Sequence, residues 1–369
     1  MTFNNLGLID TLLKAIDDMG YTTATEIQQQ SIPIILSGKD IIGCAQTGTG
    51  KTAAFTLPIL QNLAADKQKY KHPRVLVLAP TRELALQIAE NVGQYSKYLP
   101  IKHTVIFGGV SQHKQVDELQ RGTDILIATP GRLLDLVQQG YARIGSIKTL
   151  VLDEADNMLD MGFIHDIKRI LKHIPTKRQT LFFSATMPPP IRKFANTILT
   201  NPEEINVTPV SSTAPKVVQS LFFIEKKEKA AFLMELLRES GLTQTLVFTR
   251  TKHGADKLVK VLGKNGIISA AIHGNKSQNA RQNALSSFKN GKIKILIATD
   301  IAARGIDIQE LPQVINYDLP VDAETYVHRI GRTGRAGKDG LAYSFCSEEE
   351  KPALKNIQKL IGYQLPIAQ

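Results

Sequence analysis

The sequence predicts an α/β protein built from two copies of one layout. Two segments of the first half return in the second: D-I-L-I-A-T-P-G-R (124–132) resembles K-I-L-I-A-T-D-I-A-A-R (294–304), and R-V-L-V-L-A-P-T-R (74–82) resembles Q-T-L-V-F-T-R-T-K (244–252). Each contains a β-branched and leucine-rich run, which is typical of strands buried on both faces of a parallel sheet. Stretches with helical character at 82–95, 166–173 and 252–265 alternate with these runs, as in βαβ units.

The composition fits a globular chain of about two domains. Of 369 residues, 43% are hydrophobic and 21% are charged, which excludes a mainly disordered chain and a small disulfide scaffold. The two cysteines, Cys44 and Cys346, form no spaced framework, as is typical of a reducing compartment. No apolar run reaches the ~20 residues of a membrane helix, and the first residues lack a signal-peptide pattern. We therefore expect a cytoplasmic protein without membrane contact.

A proline-containing segment divides the chain. Residues 208–216 read T-P-V-S-S-T-A-P-K, without helical or strand periodicity, and predict a linker. The predicted domains are thus residues 1–207 and 217–369. Residues 1–215 hold 22 Lys+Arg against 19 Asp+Glu (22 − 19 = +3), and residues 216–369 hold 23 against 15 (23 − 15 = +8). The net charge of +11 therefore lies mainly in the second half and points weakly to a polyanionic partner.

A glycine-rich loop follows the first predicted strand in D-I-I-G-C-A-Q-T-G-T-G-K-T, residues 40–52. Glycines let backbone N–H groups surround phosphate oxygens, and a following helix adds the positive end of its dipole. Lys51 would reach the β- and γ-phosphates, and Thr52 would offer its hydroxyl to Mg²⁺. The pattern departs from G-x-x-x-x-G-K-[ST] because Ala45 replaces the first glycine. Two alternatives stay open from this loop alone: a dinucleotide fingerprint, Gly48-x-Gly50-x-x-Ala53, and a simple glycine turn.

Two carboxylates follow a strand-like run in T-L-V-L-D-E-A-D, residues 149–156. Ligands bind at the carboxyl ends of strands in α/β sheets. Asp153 is placed to hold Mg²⁺, directly or through water, and Glu154 to orient and deprotonate the water that attacks a γ-phosphate. An acidic helix cap is the alternative for this pair alone. Together with Lys51 and Thr52, however, the pair favours a nucleoside triphosphate site.

Arginines supply a second group of cations in H-R-I-G-R-T-G-R, residues 328–335. Arg332 and Arg335 are three residues apart, so both guanidinium groups could address one anion, such as a transferring phosphoryl group. A surface basic cluster or a bare nucleic-acid backbone contact is the alternative. The second half has no phosphate loop of its own, which suggests one nucleotide for both domains.

In combination, these motifs resemble the DEAD-box family of ATP-dependent RNA helicases, a branch of helicase superfamily 2. The match to the family's motifs runs in order along nearly the whole chain: residues 80–84 (P-T-R-E-L), 108–109 (G-G), 129–132 (T-P-G-R), 153–156 (D-E-A-D), 184–186 (S-A-T), 248–251 (F-T-R-T), 298–300 (A-T-D) through 304–307 (R-G-I-D), and 328–335. In its compact length and in the sequences of its motifs, the chain resembles the bacterial RhlE-type group. The resemblance implies two RecA-like domains, each a mostly parallel sheet flanked by helices.

The amino-terminal residues 20–28, G-Y-T-T-A-T-E-I-Q, resemble the family's Q motif. A glutamine amide both donates and accepts hydrogen bonds, so Gln28 could pair with N6 and N7 of adenine. Tyr21 would stack on the purine, and Phe3 occupies the upstream aromatic position. Ala24 and Glu26 stand where the family usually has prolines. The implied nucleotide is therefore ATP, and an adenine-independent helix cap is the alternative.

The resemblance also implies the roles of individual residues. The predicted catalytic residues are Glu154, Lys51, Arg332, Arg335 and Asp153. The predicted ATP contacts are Phe3, Tyr21, Thr25, Gln28, Ala45, Gln46, Thr47, Gly48, Thr49, Gly50, Lys51, Thr52, Gly305, Asp307, Arg332 and Arg335, with Thr52 and Asp153 for Mg²⁺. The predicted coupling residues are Ser184, Thr186, Asp156 and His328. The predicted RNA contacts are Thr81, Arg82, Gly109, Thr129, Arg132, Arg250, Thr251, Gly274, Arg281 and Thr299.

These predictions favour an ATP-dependent RNA helicase that reads the RNA backbone, tolerates many sequences and unwinds duplexes locally. ATP and RNA would close two loosely tethered domains together, and hydrolysis would reopen them. We expect a monomer, with ribonucleoprotein particles as further partners. Two alternatives stay open: an ATP-gated RNA clamp with slow hydrolysis, and a DNA-directed superfamily 2 helicase.

Overall fold

Two separate parallel sheets organise the chain in a computed structural model, which describes residues 1–46, 48–66, 68, 70–207, 217–303, 306, 308, 311–334 and 340–368. The chain divides into two compact units, Met1–Pro209 (unit 1) and Val210–Gln369 (unit 2). The predicted linker, residues 208–216, lies outside the described residues, so it stays a prediction.

Unit 1 contains a seven-stranded sheet in which every pair of neighbours is parallel. Its strands are β1 (Ile41–Cys44), β2 (Val75–Leu78), β3 (His103–Ile106), β4 (Ile125–Ala128), β5 (Thr149–Leu152), β6 (Gln179–Ser184) and β7 (Glu203–Asn206). Their order in the sheet is β3-β4-β2-β5-β6-β1-β7. The order matters for function because the carboxyl ends of parallel strands meet at one edge.

The helices of unit 1 connect these strands. They are α1 (Asp10–Asp18), α2 (Glu26–Leu36), α3 (Lys51–Ala65), α4 (Arg82–Tyr95), α5 (His113–Gln120), α6 (Pro130–Gln138), α7 (Ala155–Asp160), α8 (Ile164–Leu171) and α9 (Pro189–Asn196), preceded by a 3₁₀ turn at Phe3–Leu6. The predicted helix at 82–95 is confirmed as α4. The one predicted at 166–173 lies two residues earlier, because Ile164 packs beside buried Ile167 and Ile170 against the core.

Unit 2 contains a six-stranded sheet whose neighbouring strands are also parallel. Its strands are β8 (Val217–Phe223), β9 (Thr245–Phe248), β10 (Ser269–Ile272), β11 (Ile295–Ala298), β12 (Gln313–Asn316) and β13 (Gly340–Cys346), in the order β10-β11-β9-β12-β13-β8. Its helices are α10 (Lys229–Glu239), α11 (Lys252–Lys264), α12 (Gln278–Lys289), α13 (Asp300–Ala303), α14 (Ala323–Ile330) and α15 (Lys351–Ile361), and a 3₁₀ turn at Glu348–Glu350 precedes α15.

The internal sequence repeat corresponds to a repeated layout. The repeated segments form β2 and β4 in unit 1 and β9 and β11 in unit 2. In each sheet the two repeated strands are hydrogen-bonded neighbours, within β3-β4-β2-β5 and β10-β11-β9-β12. The predicted fold class, two α/β units with parallel sheets, is therefore confirmed.

The core covers both faces of each sheet. Along β2, for example, Val75 and Val77 belong to one hydrophobic cluster, and Leu76 and Leu78 belong to another. A sheet buried on both faces is what the continuous apolar runs predict. Among the described residues, no helix has the length and apolar character to cross a bilayer.

Candidate nucleotide and nucleic-acid sites

The sheet order of unit 1 separates two groups of predicted site residues. The carboxyl ends of β5, β6 and β1 are adjacent, and they carry the predicted nucleotide and coupling residues. The carboxyl ends of β3, β4 and β2 form the other part of the same edge, and they carry the predicted RNA residues. One sheet edge thus presents two chemically different surfaces side by side.

The glycine-rich loop joins β1 to α3 as expected. Gly48 and Gly50 have φ of 88° and 90°, a conformation that favours glycine. Lys51 begins α3 with its side chain buried, and its Nζ donates a 2.7 Å hydrogen bond to the carbonyl oxygen of Ala45. Ala45, the departure from the pattern, is itself buried. The loop therefore holds its lysine at the amino end of a 15-residue helix, where a phosphate group would bind.

Other members of the predicted phosphate loop differ in their surroundings. Gln46 is exposed, whereas Thr49 is partly buried, and the Thr49 hydroxyl donates to the carbonyl oxygen of Gln46 at 2.8 Å. Thr52 is the second residue of α3 and is partly buried. Thr47 lies outside the described residues. Thr52 therefore lies next to Lys51 at the start of α3.

Asp153 and Glu154 lie directly after β5 and are both buried. Glu154 has φ of 54°, an uncommon value for a residue other than glycine, and its Oε2 accepts a 2.9 Å hydrogen bond from Asn157 Nδ2. Burial raises the pKa of Asp153 to about 7, with Glu154 adding to the rise and Lys51 opposing it. A buried carboxylate of this kind is stabilised in its charged form by a nearby cation.

Asp156 links the end of β5 to the end of β6. Its Oδ2 accepts hydrogen bonds from Ala185 N (3.0 Å), Thr186 N (2.9 Å) and Thr186 Oγ1 (3.2 Å). Ser184 Oγ accepts from Asp156 N at 3.3 Å and donates to the carbonyl oxygen of Thr186 at 2.7 Å. The predicted coupling residues of unit 1 are thus joined in one network that lies between the acidic pair and the S-A-T segment.

The Q-motif segment packs directly against the phosphate loop. Thr25 caps α2 through a reciprocal capping box with Gln28, whose Oε1 accepts from Thr25 N at 2.9 Å. Gln28 Nε2 donates to the carbonyl oxygen of Gly50 at 3.2 Å, and a Cβ at Gly50 would lie 2.3 Å from that nitrogen. The Oε1 and Nε2 atoms of Gln28 each keep one further hydrogen-bonding position, so these bonds are compatible with recognition of adenine by the same side chain. Ala24 and Glu26 do not prevent the capped helix.

The two aromatic residues of this segment differ in exposure. Tyr21 is 44% exposed, as a stacking residue requires. Phe3 is 4% exposed and packs in the hydrophobic core. The neighbouring Thr2 forms a β-bridge with Thr23. Phe3 therefore supports the Q-motif segment from the core and offers no exposed ring face to a base.

The predicted RNA residues of unit 1 lie together at the ends of β2, β3 and β4. Thr81 caps α4, with Oγ1 accepting from Leu84 N, and the buried Thr129 occupies the same position before α6. Arg82 lies against Gly109, where an added Cβ would be 2.1 Å from Arg82 Nη1. Arg132 Nη2 donates to the carbonyl oxygen of Val110 at 3.1 Å. Two helix starts and two arginines thus share one surface, a chemistry that suits phosphates.

Unit 2 gathers a similar set at the ends of β9, β10 and β11. Thr251 caps α11 through its Oγ1, which accepts from Gly254 N at 3.0 Å. Arg250 precedes it, and its side chain is 45% exposed. Gly274 follows β10, and Thr299 follows β11. Arg281 lies further along, in α12.

The arginine motif lies at the end of α14. His328 is partly buried, and Arg332 Nη1 donates to the carbonyl oxygen of Ile306 at 2.8 Å. Arg335, Gly305 and Asp307 lie outside the described residues.

Sequence reasoning missed Arg329, which the structure shows to be buried within the same motif. Its Nη2 lies 2.8 Å from Asp300 Oδ2, its Nε reaches Asp300 Oδ1, and its Nη1 donates to Asn316 Oδ1 and to the carbonyl oxygen of Asp318. The signal available was an arginine on the apolar side of a helix, which requires a buried partner. This ion pair ties the segment after β11 to the arginine motif.

Comparison with known proteins identifies the family. The DEAD/DEAH box helicase model matches residues 25–194, and the helicase conserved C-terminal domain matches residues 228–337. The DEAD-box ATP-dependent RNA helicase CshA of Bacillus cereus is 45% identical over 358 residues, which are 97% of this chain and 68% of the relative. This chain belongs to the DEAD-box helicase family.

Further DEAD-box proteins resemble it in sequence or structure. The ATP-dependent RNA helicase DeaD of Haemophilus influenzae is 42% identical over 98% of this chain and 59% of its own length. S. cerevisiae Dbp5, in a structure bound to RNA and ADP BeF3, has a TM-score of 0.87 and 33% identity, covering 100% of this chain and 95% of that one. A DEAD box protein from Methanococcus jannaschii has a TM-score of 0.55 and 37% identity, covering 100% of this chain and 99% of that one. The RhlE-type subgroup stays a prediction.

Proposed function

We propose that this DEAD-box protein is an ATP-dependent RNA helicase, whose RNA-stimulated ATP hydrolysis drives local, poorly processive unwinding of RNA duplexes or remodelling of ribonucleoprotein particles. The observation that carries the proposal is the adjacency of β5, β6 and β1 in the sheet. It places Lys51, the Asp153–Glu154 pair and the Asp156–Thr186 network at one edge. Relatives at 42–45% identity are named ATP-dependent RNA helicases, which supports the same function.

In this proposal the phosphate loop and the acidic pair bind ATP and Mg²⁺. Within the described part of the chain, no three His, Cys, Asp or Glu side chains form a metal cluster. Mg²⁺ in phosphate-transfer sites needs only one or two protein ligands beside the nucleotide, and the buried Asp153 with Thr52 fits that requirement. When bound, the ion supplies positive charge to the phosphate oxygens. Lys51 binds the same phosphates from the start of α3.

Glu154 is the proposed general base. Its carboxylate is buried and held by Asn157 Nδ2, so its orientation is fixed before water binds. A carboxylate fixed in this way can accept the proton of the attacking water. We propose that Arg332 and Arg335 stabilise the transferring phosphoryl group, because guanidinium groups supply a fixed positive charge to such a group. The second half contains no G-x-x-x-x-G-K sequence, which favours one nucleotide for the chain.

The proposed RNA surface reads the backbone. Helix-capping threonines, glycine amides and arginines bind phosphates and 2′-hydroxyl groups without selecting bases. The proposed set is Thr81, Arg82, Gly109, Thr129 and Arg132 in unit 1, with Arg250, Thr251, Gly274, Arg281 and Thr299 in unit 2. We also propose Gly305 and Asp307 as ATP contacts, with Asp307 at the ribose, and His328 as a coupling residue. We also propose a cytoplasmic monomer, to which the two free cysteines are suited.

The ATP-gated clamp and the DNA-directed helicase are less well supported. Glu154, whose loss would leave a hydrolysis-dead clamp, is present and oriented. The structural neighbour with a TM-score of 0.87 is bound to RNA.

The test is steady-state ATP hydrolysis without nucleic acid, with single-stranded RNA and with DNA of matched sequence. We expect strong stimulation by RNA alone. Lys51→Ala should greatly weaken ATP binding, because the cation facing the phosphates is lost. Lys172→Ala, an exposed change after α8, serves as the control. Equal stimulation by DNA, or normal turnover in Lys51→Ala, would refute the proposal.

A further inference from the structure

A buried carboxylate of unit 2 lies outside every motif discussed above. Glu350 ends the 3₁₀ turn before α15 and is 4% exposed. Its two neighbours in the turn, Glu348 and Glu349, are exposed and pair with surface lysines. A buried carboxylate requires several partners to offset its lost hydration.

The two carboxylate oxygens of Glu350 serve different partners. Oε2 accepts from Lys229 Nζ at 2.6 Å and from Ser347 N and Oγ, each at 2.9 Å. Oε1 accepts from Leu319 N and from Arg250 Nη2, each at 3.0 Å. Burial alone would raise the pKa of Glu350, but the hydrogen bonds from Lys229 and Ser347 outweigh it, so the pKa of this carboxyl lies below its ordinary value. Glu350 is thus charged near neutral pH.

Arg250 is held on one side and exposed on the other. Its backbone N donates to Asp318 Oδ2 at 2.9 Å, and its Nη2 also lies 3.4 Å from the carbonyl oxygen of Leu319. Nearly half of the side chain is nevertheless exposed. It precedes Thr251, the cap of the 13-residue helix α11. The free side of the guanidinium therefore lies beside a helix start, which is a favourable place for a phosphate.

The charges in this cluster balance. Glu350 and Asp318 oppose Lys229 and Arg250, so the cluster adds little net field at the surface. The contribution of Glu350 is therefore geometric: it removes rotational freedom from a long side chain that would otherwise be mobile.

We propose that Glu350 is a positioning residue that fixes the Arg250 guanidinium for contact with an RNA phosphate. This inference rests on the proposed RNA-binding function. The Glu350–Arg250 contact joins the turn before α15 to a residue 100 positions earlier in the sequence.

The direction of the effect separates positioning from simple electrostatics. Removing a negative charge from an RNA-binding unit should strengthen RNA binding, because backbone phosphates dominate affinity. Loss of positioning should weaken it. Glu350→Gln therefore gives opposite results under the two explanations. In this variant Lys229 keeps the carbonyl oxygen of Tyr317 at 2.8 Å and Asp318 at 3.6 Å, so we expect the unit to fold.

The experiment measures the Kd of the full chain, with an ATP analogue, for a fluorescent single-stranded RNA at several salt concentrations. The variants are Glu350→Gln, Arg250→Ala and the double change, with Glu348→Gln as an exposed control of equal charge. We expect about tenfold weaker binding for Arg250→Ala, from the loss of one charged hydrogen bond. Glu350→Gln should be several-fold weaker, and the double variant no weaker than Arg250→Ala. Arg250→Ala and Glu350→Gln should each make the negative slope of log K against log salt shallower by up to about 0.7, the value of one phosphate contact.

Two results would overturn the inference while leaving the proposed function intact: tighter or unchanged binding by Glu350→Gln, or additive effects in the double variant. Absence of RNA binding by the unchanged protein would instead refute the proposed function, and the inference with it. If thermal unfolding shows that Glu350→Gln does not fold, Glu350→Asp replaces it. That variant keeps the charge for Lys229 but shortens the reach to Arg250, so weaker binding is again expected, and unchanged binding overturns the inference.

Discussion

The network around Asp156 gives a quantitative prediction for Asp156→Ala. One buried carboxylate oxygen accepts three hydrogen bonds from Ala185 and Thr186. Removing it leaves these three donors without their acceptor, and the loss of Oδ1 also frees the N–H of the adjacent, partly exposed Asn157, which water can reach. A buried unsatisfied donor costs about 1–3 kcal/mol, and both residues are partly exposed, so water can replace part of the loss. At about 1 kcal/mol for each bond, unit 1 should lose about 3 kcal/mol of unfolding free energy.

Urea unfolding followed by circular dichroism measures this change. With a slope of about 2 kcal/mol/M, the transition of unit 1 should move by about 1–2 M, and that of unit 2 should not move. Ser184→Ala removes two neutral hydrogen bonds of the same network and should cost about 1–2 kcal/mol. Asp166→Ala, which breaks only a surface contact of 3.9 Å to Arg169, should change stability by less than about 0.5 kcal/mol.

The prediction also concerns function. Because Asp156 joins the acidic pair to the S-A-T segment, Asp156→Ala should reduce duplex unwinding per ATP hydrolysed more than ATP hydrolysis itself. A shift no larger than that of Ser184→Ala, or an unchanged ratio of unwinding to hydrolysis, would refute the role assigned to this network.

Three further predictions concern the other sites. Glu154→Gln should slow single-turnover ATP hydrolysis by about 10²–10⁴-fold while ATP affinity changes little, since an amide of equal size cannot accept the proton; rapid hydrolysis would exclude Glu154 as the base. Gly109→Ala should weaken RNA binding, because its φ is 77° and the new Cβ would displace Arg82, whereas Gly145→Ala, at an open exposed position, should not. On acidification from pH 5 to 3, the unchanged protein should lose more unfolding free energy than Glu350→Gln. Because folding lowers the pKa of that carboxyl, its charged form stabilises the fold above the ordinary pKa of a glutamate, and this contribution is lost as acid protonates the group; equal losses in a urea titration would contradict this.

The sequence by itself determined the local structure and the chemistry of each motif. Continuous apolar runs predicted strands buried on both faces, and helix α4 begins and ends at the predicted residues. The glycines of the phosphate loop and the strand-end acids were recognisable because their chemistry depends on neighbours within a few residues. The internal repeat also predicted the shared layout, because similar local sequences form similar units.

Only the tertiary structure decided which of these segments meet. Strand order is set by packing between distant segments, so the adjacency of β5, β6 and β1 has no signature in the sequence. The same holds for Gln28 against Gly50 and for Glu350 against Arg250, which lie 22 and 100 residues apart. Burial, too, is a property of the folded chain, which is why Phe3 proved to be a core residue. Short-range chemistry identifies the parts, and long-range packing makes them a site.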